Sequence, residues 1–223
     1  MGRKAGMVHA GSFNVRLFND LVSEIMPGVE VVHLVDEGLP FMADEQSRGR
    51  VLRRLKTLAS FAEESGAEIV LLTCTAFGRL VDEVGEAVNV PVISVLEIMV
   101  DEVMGVSDRI GILGTHPGML ASALQLIQEQ ATRSGKKTEV KTSLCPGAFD
   151  AMWRGDWPTH DRIVIEHLNR MMDEVAVVVI PQPSMERVLK QVPETSRKAH
   201  IMSSARLSVQ RLKERLDSVA QPT

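Results

Sequence analysis

Glu68-Ile69-Val70-Leu71-Leu72-Thr73-Cys74-Thr75 is the stretch on which the reading of this chain turns. Four consecutive apolar residues, Ile69 to Leu72, are strand-sized and uninterrupted, as expected of a strand covered on both faces in a parallel sheet. Thr73, Cys74 and Thr75 become polar where that strand should leave the core, ahead of a helical pattern over Ala76–Ala87. A buried strand that feeds a helix through a small polar turn is the building block of a βαβ unit.

Working outward, the same alternation recurs along the chain. Strands are predicted at Ala5–His9, Val29–Val35, Glu68–Thr73, Val92–Leu96, Arg109–Gly114, Glu139–Leu144, Val175–Ile180 and Ala199–Met202. Helices are predicted at Ser12–Met26, Asp44–Ser65, Ala76–Ala87, Met119–Ser134, Thr159–Glu174 and Ala205–Leu216. Gly66 and Gly135 stand just past two of these as C-terminal stops. The fold class is α/β.

The order of features also runs twice. The turn His9-Ala10-Gly11-Ser12 is followed about 65 residues later by Thr73-Cys74-Thr75; Gly114-Thr115-His116-Pro117 is followed at a like interval by Pro181-Gln182-Pro183-Ser184. Pro91-Val92-Ile93-Ser94 before a helix corresponds more weakly to His200-Ile201-Met202-Ser203 before the last one. Two related half-molecules are implied, with the repeat changing over near Met104–Asp108. Ligands of open α/β sheets bind beyond the carboxyl ends of the strands, where all four turns lie, so facing halves would share one cleft.

Composition narrows the function classes. The chain has 223 residues, 44% of them hydrophobic, which suffices for one large α/β domain or two small ones. A net charge of −4 with no basic block argues against a nucleic-acid surface. No apolar run approaches the ~20 residues of a membrane span, and Met1–Ala10 reaches Gly11 and Ser12 too soon for a signal peptide. Two cysteines without C-x-x-C spacing fit neither a disulfide framework nor a structural zinc site. Gly111 and Gly114 lack the third glycine of a dinucleotide fingerprint. The expectation is a reduced, cytoplasmic protein that needs no metal, nucleotide or other cofactor.

Cys74 is the leading candidate for chemistry. A cysteine in a strand is commonly a buried structural residue, but this one has threonines on both sides and precedes a helix start. Free N–H groups and the helix dipole there favour an anion. Holding a thiolate at pH 7 against an ordinary pKa near 8.5 costs roughly 2 kcal/mol, which such donors can offset.

The strand ending in Leu71-Leu72-Thr73-Cys74-Thr75, followed by Val90-Pro91-Val92-Ile93, resembles the aspartate/glutamate/hydantoin racemase superfamily, and the resemblance runs over nearly the whole chain. Val35-Asp36-Glu37, Gly147-Ala148-Phe149-Asp150-Ala151, Gly155-Asp156 and Pro181-Gln182-Pro183-Ser184-Met185 resemble a branch of it without an assigned substrate. The resemblance implies two pseudosymmetric parallel-sheet domains with the active site in the cleft between them. Residues 1–97 with 205–223 would form the first and 98–204 the second, the last helix packing back on the first. It also implies a small carboxylate or hydantoin-like substrate, no cofactor, and a homo-oligomer.

Racemases of this family use two thiols, one on each face of the substrate carbon. Here the second position aligns with Gln182, whose amide has no useful pKa. One thiol suffices to protonate an enediolate on one face or to add to an activated double bond. The one-cysteine arylmalonate decarboxylases and the two-cysteine maleate isomerases are therefore partial parallels.

The supporting residues follow from the turns. Ser12 and Asn14 are placed to hold a substrate carboxylate, or Ser12 caps the helix, and the two are compatible. Thr75 and the backbone of Ala76 resemble the family's anion hole. Thr115 and His116 form the matching turn of the second half, where His116 can equally be a plain turn residue. Gln182 and Ser184 suit substrate orientation, though a glutamine can also cap a turn. His9 is either a second titrating group at the cleft or a hydrogen-bonded strand-end residue. His160 and His167 lack the i, i+4 spacing of a metal pair and are read as lying on a solvated helix face. Cys145 falls outside the family's cysteine positions and is read as structural. Phe149, Trp153 and Trp157 are read as packing residues, and Met171 and Met172 as core.

Overall fold

The computed structural model describes residues 3–42 and 45–219. They form two compact units, one within Met1–Ile98 and Ala205–Thr223, the other Met99–Ser204. Each has one four-stranded sheet in which every pairing is parallel.

In the first unit, β1 (Lys4–His9), β2 (Glu30–Val35), β3 (Val70–Leu72) and β4 (Val92–Ser94) are ordered β2-β1-β3-β4. The helices are α1 (Phe13–Ile25), α2 (Arg48–Glu64), the short α3 (Val81–Gly85) and, from the end of the chain, α8 (Ser204–Val219). The alternation of side chains along a strand sorts the core into two layers. Ala5, Met7, Ile69 and Leu71 face Phe18 and Leu21 of α1 and Val209 and Leu212 of α8. Val8, Val70 and Leu72 face Val51, Leu55 and Ala59 of α2 and Val84 of α3. All three residues of β3 are at most 2% exposed, which is why that strand carries no polar alternation.

The second unit repeats the plan with β5 (Arg109–Gly114), β6 (Glu139–Leu144), β7 (Val177–Ile180) and β8 (His200–Ser203), ordered β6-β5-β7-β8. Its helices are α4 (Val95–Val106), inside which the two units divide, α5 (Pro117–Ser134), α6 (Ala148–Trp153) and α7 (Trp157–Met172). Val164, Leu168 and Met171 of α7 pack with Val178 and Ile180 of β7.

The two registers coincide. Lys4 pairs with Glu30 as Arg109 pairs with Glu139, and Gly6 pairs with Val70 as Gly111 pairs with Val178. Val70 then pairs with Val92 as Val178 pairs with Ile201. Gly6 and Gly111 are thus equivalent, for a shared reason. A Cβ on Gly6 would stand 2.6 Å from Ala62 Cβ, and one on Gly111 would stand 2.6 Å from Met171 Cγ. In each unit the crossover helix lies against the bare backbone of the first strand.

Every predicted strand is present, with ends shifted by up to two residues. Three helical expectations and one strand end need correction. The segment after Cys74 is a 3-10 helix over Thr75–Leu80 before α3, because Gly78 is pressed against β4, where a Cβ would meet Ser94 Oγ at 2.6 Å. Val95 and Leu96 open α4 rather than prolonging β4, with Ser94 Oγ accepting from the Leu96 N–H at 3.1 Å. α2 starts at Arg48, and Asp44 of the predicted helix lies outside the described residues. α7 starts at Trp157, with Asp156 Oδ1 accepting from the Thr159 N–H. No helix among the described residues is long and apolar enough to cross a membrane.

Candidate functional site

In the first unit the chain leaves β1, β2 and β3 at one edge. The Asp36 N–H donates to His9 O at 2.9 Å and the Thr73 N–H to Val8 O at 3.0 Å. Three turns therefore stand side by side: Ala10–Ser12, Asp36–Gly38 and Thr73–Ala76.

Cys74 is the extended residue between β3 and the 3-10 segment. The residue is part-exposed, with protein packed densely around its thiol. Burial pushes the thiol up to about 11, against the backbone N–H groups of Ala76 and Phe77 that hydrogen-bond it and pull it down. The expected resting thiolate is corrected: donors are present, yet desolvation outweighs them. Ionising this thiol at pH 7 would cost about 5 kcal/mol, so the resting group is a proton donor.

His9 is fully buried. Its Nδ1 lies 2.9 Å from Thr73 Oγ1 and its Nε2 lies 2.8 Å from His33 Nδ1, with His33 Nε2 2.9 Å from Asn19 Oδ1. Burial, and then the charge of His33, lower His9 to about 3. Both ring nitrogens are engaged and the ring is neutral at pH 7, so His9 ties β1 to β3 rather than titrating there. The ring also packs against Phe18 of the α1 layer, whereas Cys74 packs with the α2 layer.

Ser12 occupies the N-cap position of α1 but makes no side-chain cap bond. Its N–H and O–H both donate to Glu37 Oε1, at 2.9 and 2.6 Å. Asn14, one position into the first turn, is 6% exposed, and its Oδ1 is buried without a hydrogen-bond partner. Thr75 is 2% exposed.

In the second unit Gln182 takes the position of Cys74. Its backbone is extended in the same way (φ −94°, ψ 119° against −94° and 116°), and it too precedes a 3-10 segment, Pro183–Lys190. Its side chain folds back on Thr115: Oε1 accepts from the Thr115 N–H at 2.6 Å and Nε2 donates to Thr115 Oγ1 at 2.8 Å. His116 is the N-cap of α5, its Nδ1 accepting from the Gly118 N–H at 3.2 Å and its ring 4.9 Å from that of Phe149. Ser184 is 8% exposed. Cys145 is fully buried with Leu113, Ala148 and Met185, and burial raises it to about 12.

The solvated-face reading of His160 is corrected. His160, Val164, Leu168 and Met172 recur every four residues along the buried stripe of α7. His160 Nδ1 pairs with Asp161 Oδ1 at 2.8 Å, and the Asp161 carboxylate also accepts from Arg187 Nε at 3.0 Å and Gln191 Nε2 at 2.6 Å. This hub ties α7 to the segment that begins after Gln182. His167 pairs through Nδ1 with Ser143 Oγ at 2.8 Å. Trp157 lies under the Arg187 guanidinium at 4.3 Å, a packing role in keeping with its reading.

Sequence reasoning gave no part to Glu37 or His33. Glu37 was visible only as part of Val35-Asp36-Glu37, because its tie to Ser12 spans 25 residues and depends on strand register. Among the described residues no group of three or more His, Cys, Asp or Glu could hold a metal ion.

Comparison with known proteins agrees with this architecture. A family model described as Asp/Glu/Hydantoin racemase matches residues 23–212. Among solved structures, the chain is similar to glutamate racemase from Francisella tularensis in complex with D-glutamate, with TM-score 0.76 and 16% identity over 100% of this chain and 84% of that one. Aspartate racemase from Picrophilus torridus aligns with TM-score 0.73 and 12% identity over 97% and 95% of the two chains. Allantoin racemase from Pseudomonas fluorescens aligns with TM-score 0.62 and 14% identity over 99% and 93%. Identities this low speak for the fold. A search among curated proteins finds no match.

Proposed function

The chain belongs to the Asp/Glu/hydantoin racemase family, and from that premise we propose that it is a cofactor-independent enzyme in which Cys74 moves a proton at the carbon next to a carboxylate or carbonyl of a small amino acid or hydantoin-like substrate. The observation that carries this reading is the setting of Cys74. It lies at the carboxyl end of β3, with the Ala76 and Phe77 N–H groups on its sulfur. Those donors, with Thr75, are suited to a developing negative charge on the substrate as well as to a thiolate. Ser12 and Asn14 are the companions on the same edge. Thr115, His116, Gln182 and Ser184 enter through the family alone, and the bonds of Gln182 to Thr115 favour a supporting role for it.

A second reading is favoured by one observation. Gln182 stands at the register position of Cys74, which supports a reading in which one thiol serves the reacting carbon, and burial favours the protonated form of that thiol. Protonation of a carbanion on one face, as in cofactor-free decarboxylation of malonate-like acids, uses no more than this; a maleate-isomerase-like addition uses the thiolate instead.

Incubation with α-amino acids, hydantoins, malonates and maleate in deuterated water, followed by NMR, distinguishes these. Deuterium at the α-carbon supports the first reading, and loss of carbon dioxide with one-face labelling supports the second. Turnover that persists in Cys74→Ala would overturn both.

A further inference from the structure

We propose that Glu37 sets the substrate class of the Cys74 edge, as a built-in carboxylate that turns away substrates carrying a second carboxylate and accepts an N–H group of substrates that lack one. This rests on the function proposed above and adds to it a choice among substrates.

Ser12 was the residue expected to hold a substrate carboxylate, and its two donors are already taken. Both its N–H and its O–H point at one oxygen of Glu37, at 2.9 and 2.6 Å. Those bonds hold the Glu37 carboxyl below the usual range, in keeping with an anion at neutral pH. Glu37 Oε2 has no hydrogen-bond or ion-pair partner among the described residues.

The loop that presents Glu37 is pinned on both sides. Arg54 grips Asp36 through Nε and Nη2, each at 2.5 Å, and Asp36 Oδ1 accepts from the Gly38 N–H at 3.0 Å. The arginine thus neutralises Asp36 and leaves the charge of Glu37 uncompensated. The second acceptor is Asn14 Oδ1, buried and unpartnered one position into α1. A buried acceptor with no donor, two residues on from the serine that holds an exposed carboxylate with an oxygen to offer, suits a ligand that brings N–H groups.

Position links this acceptor pair to the thiol. Glu37 follows β2, Cys74 follows β3, and β1 lies between them. Two strand spacings separate the strand ends by about 10 Å, a gap that the Cys74 and Glu37 side chains and a ligand of glutamine size can bridge together. A distal carboxylate reaching toward β2 would meet Glu37 as a like charge, whereas an amide, ammonium or ring N–H would meet an acceptor.

Matched ligands that differ only in that distal group provide the test. Protection of Cys74 from iodoacetamide is measured for L-glutamine against L-glutamate, L-asparagine against L-aspartate, and 5-methylhydantoin against hydantoin-5-acetate. In the native protein the member without the extra carboxylate should half-protect at a concentration roughly tenfold lower, with the gap narrowing as salt is raised. Glu37→Gln keeps an acceptor for Ser12 while removing the charge, and should shrink the gap to within about twofold by improving the diacids. Equal protection within each pair, a native preference for the diacids, or an unchanged gap in Glu37→Gln would overturn the role of Glu37 while leaving Cys74 as the reactive thiol. Protection by none of the six compounds would remove the substrate reading of the edge itself, and this proposal with it.

Discussion

The two units share a register but tie their sheet edges together in different ways. In the first, the ends of β1 and β3 are joined by His9 and Thr73, which lies one residue short of Cys74, so the thiol takes no part in holding the edge. In the second, the ends of β5 and β7 are joined by Thr115 and Gln182, and Gln182 is the residue equivalent to Cys74. The cysteines differ in the same sense: Cys74 keeps partial access to solvent, while Cys145 is sealed among Leu113, Ala148 and Met185. The same register position is thus a part-exposed thiol in one unit and a side chain bonded to the neighbouring turn in the other. On the function proposed above, only the first carries proton chemistry.

The largest effect that would break this contrast is at the cysteines. Cys74→Ala should abolish measurable turnover, a loss at or beyond the ~10²–10⁴-fold contribution usual for a positioned acid or base, without changing the circular dichroism spectrum. Cys145→Ala should retain activity within a few-fold and lose about 1–2 kcal/mol of stability to urea, since a small buried side chain is removed. Equal loss of activity in both would place the two units on the same footing.

Next in size is the acid limb of stability. His9 has a folded pKa of about 3, below its value in the unfolded chain, so the unfolded state binds more protons between about pH 6.5 and 3. The stabilising effect is complete above pH 6.5 and is lost as the pH falls through that window, by roughly 1.4 kcal/mol per pH unit. His33 and His160 are lowered by burial and act in the same direction. Urea titrations at several pH values should show this slope, and His9→Gln should flatten it; a slope unchanged in the variant would dissociate the His9–Thr73 tie from acid sensitivity.

Smaller effects are expected in the second unit. Gln182→Ala leaves the buried Thr115 N–H and hydroxyl without their partner and should cost about 1–3 kcal/mol of stability. Gln182→Cys should cost a similar amount while supplying the thiol that the family uses, and its signature would be early appearance of both enantiomers of labelled product. Pro181 and Pro183 on either side limit how far the new side chain can turn. Smaller still, Asp161→Asn should cost about 1 kcal/mol, because Arg187 is partly exposed and water replaces much of the lost attraction. Its melting temperature should fall without any shift in the midpoint of Cys74 alkylation with pH.

How much of this was legible in the sequence depended on range. Continuous apolar runs such as Ile69–Leu72 and Val177–Ile180 marked strands buried on both faces, and the spacing of the polar turns marked the duplication. Helix α4 was harder to delimit. Glu97, Asp101 and Glu102 do recur at helical spacing among the buried Leu96, Ile98, Met99, Val100, Val103 and Met104, but the apolar run that starts at Val92 reads as strand as far as Leu96 and hides the start of the helix. At the site, the position of Cys74 could be read locally, but its protonation state could not. The N–H donors follow from the turn, whereas the desolvation that outweighs them comes from side chains far along the chain. Ser12 shows the same limit, since its partner Glu37 reaches it only because β1 and β2 pair in register.

The central claim is that the first unit's open position, and not its fastened counterpart, carries the proton. Incorporation of deuterium from solvent into an accepted substrate, followed by NMR for the native protein, Cys74→Ala, Cys145→Ala and Gln182→Ala side by side, tests it most directly. Label should enter one configuration in the native protein and in Cys145→Ala, enter more slowly but in the same configuration in Gln182→Ala, and be absent in Cys74→Ala. Label entering both configurations at early times in the native protein, or persisting in Cys74→Ala, would contradict the account.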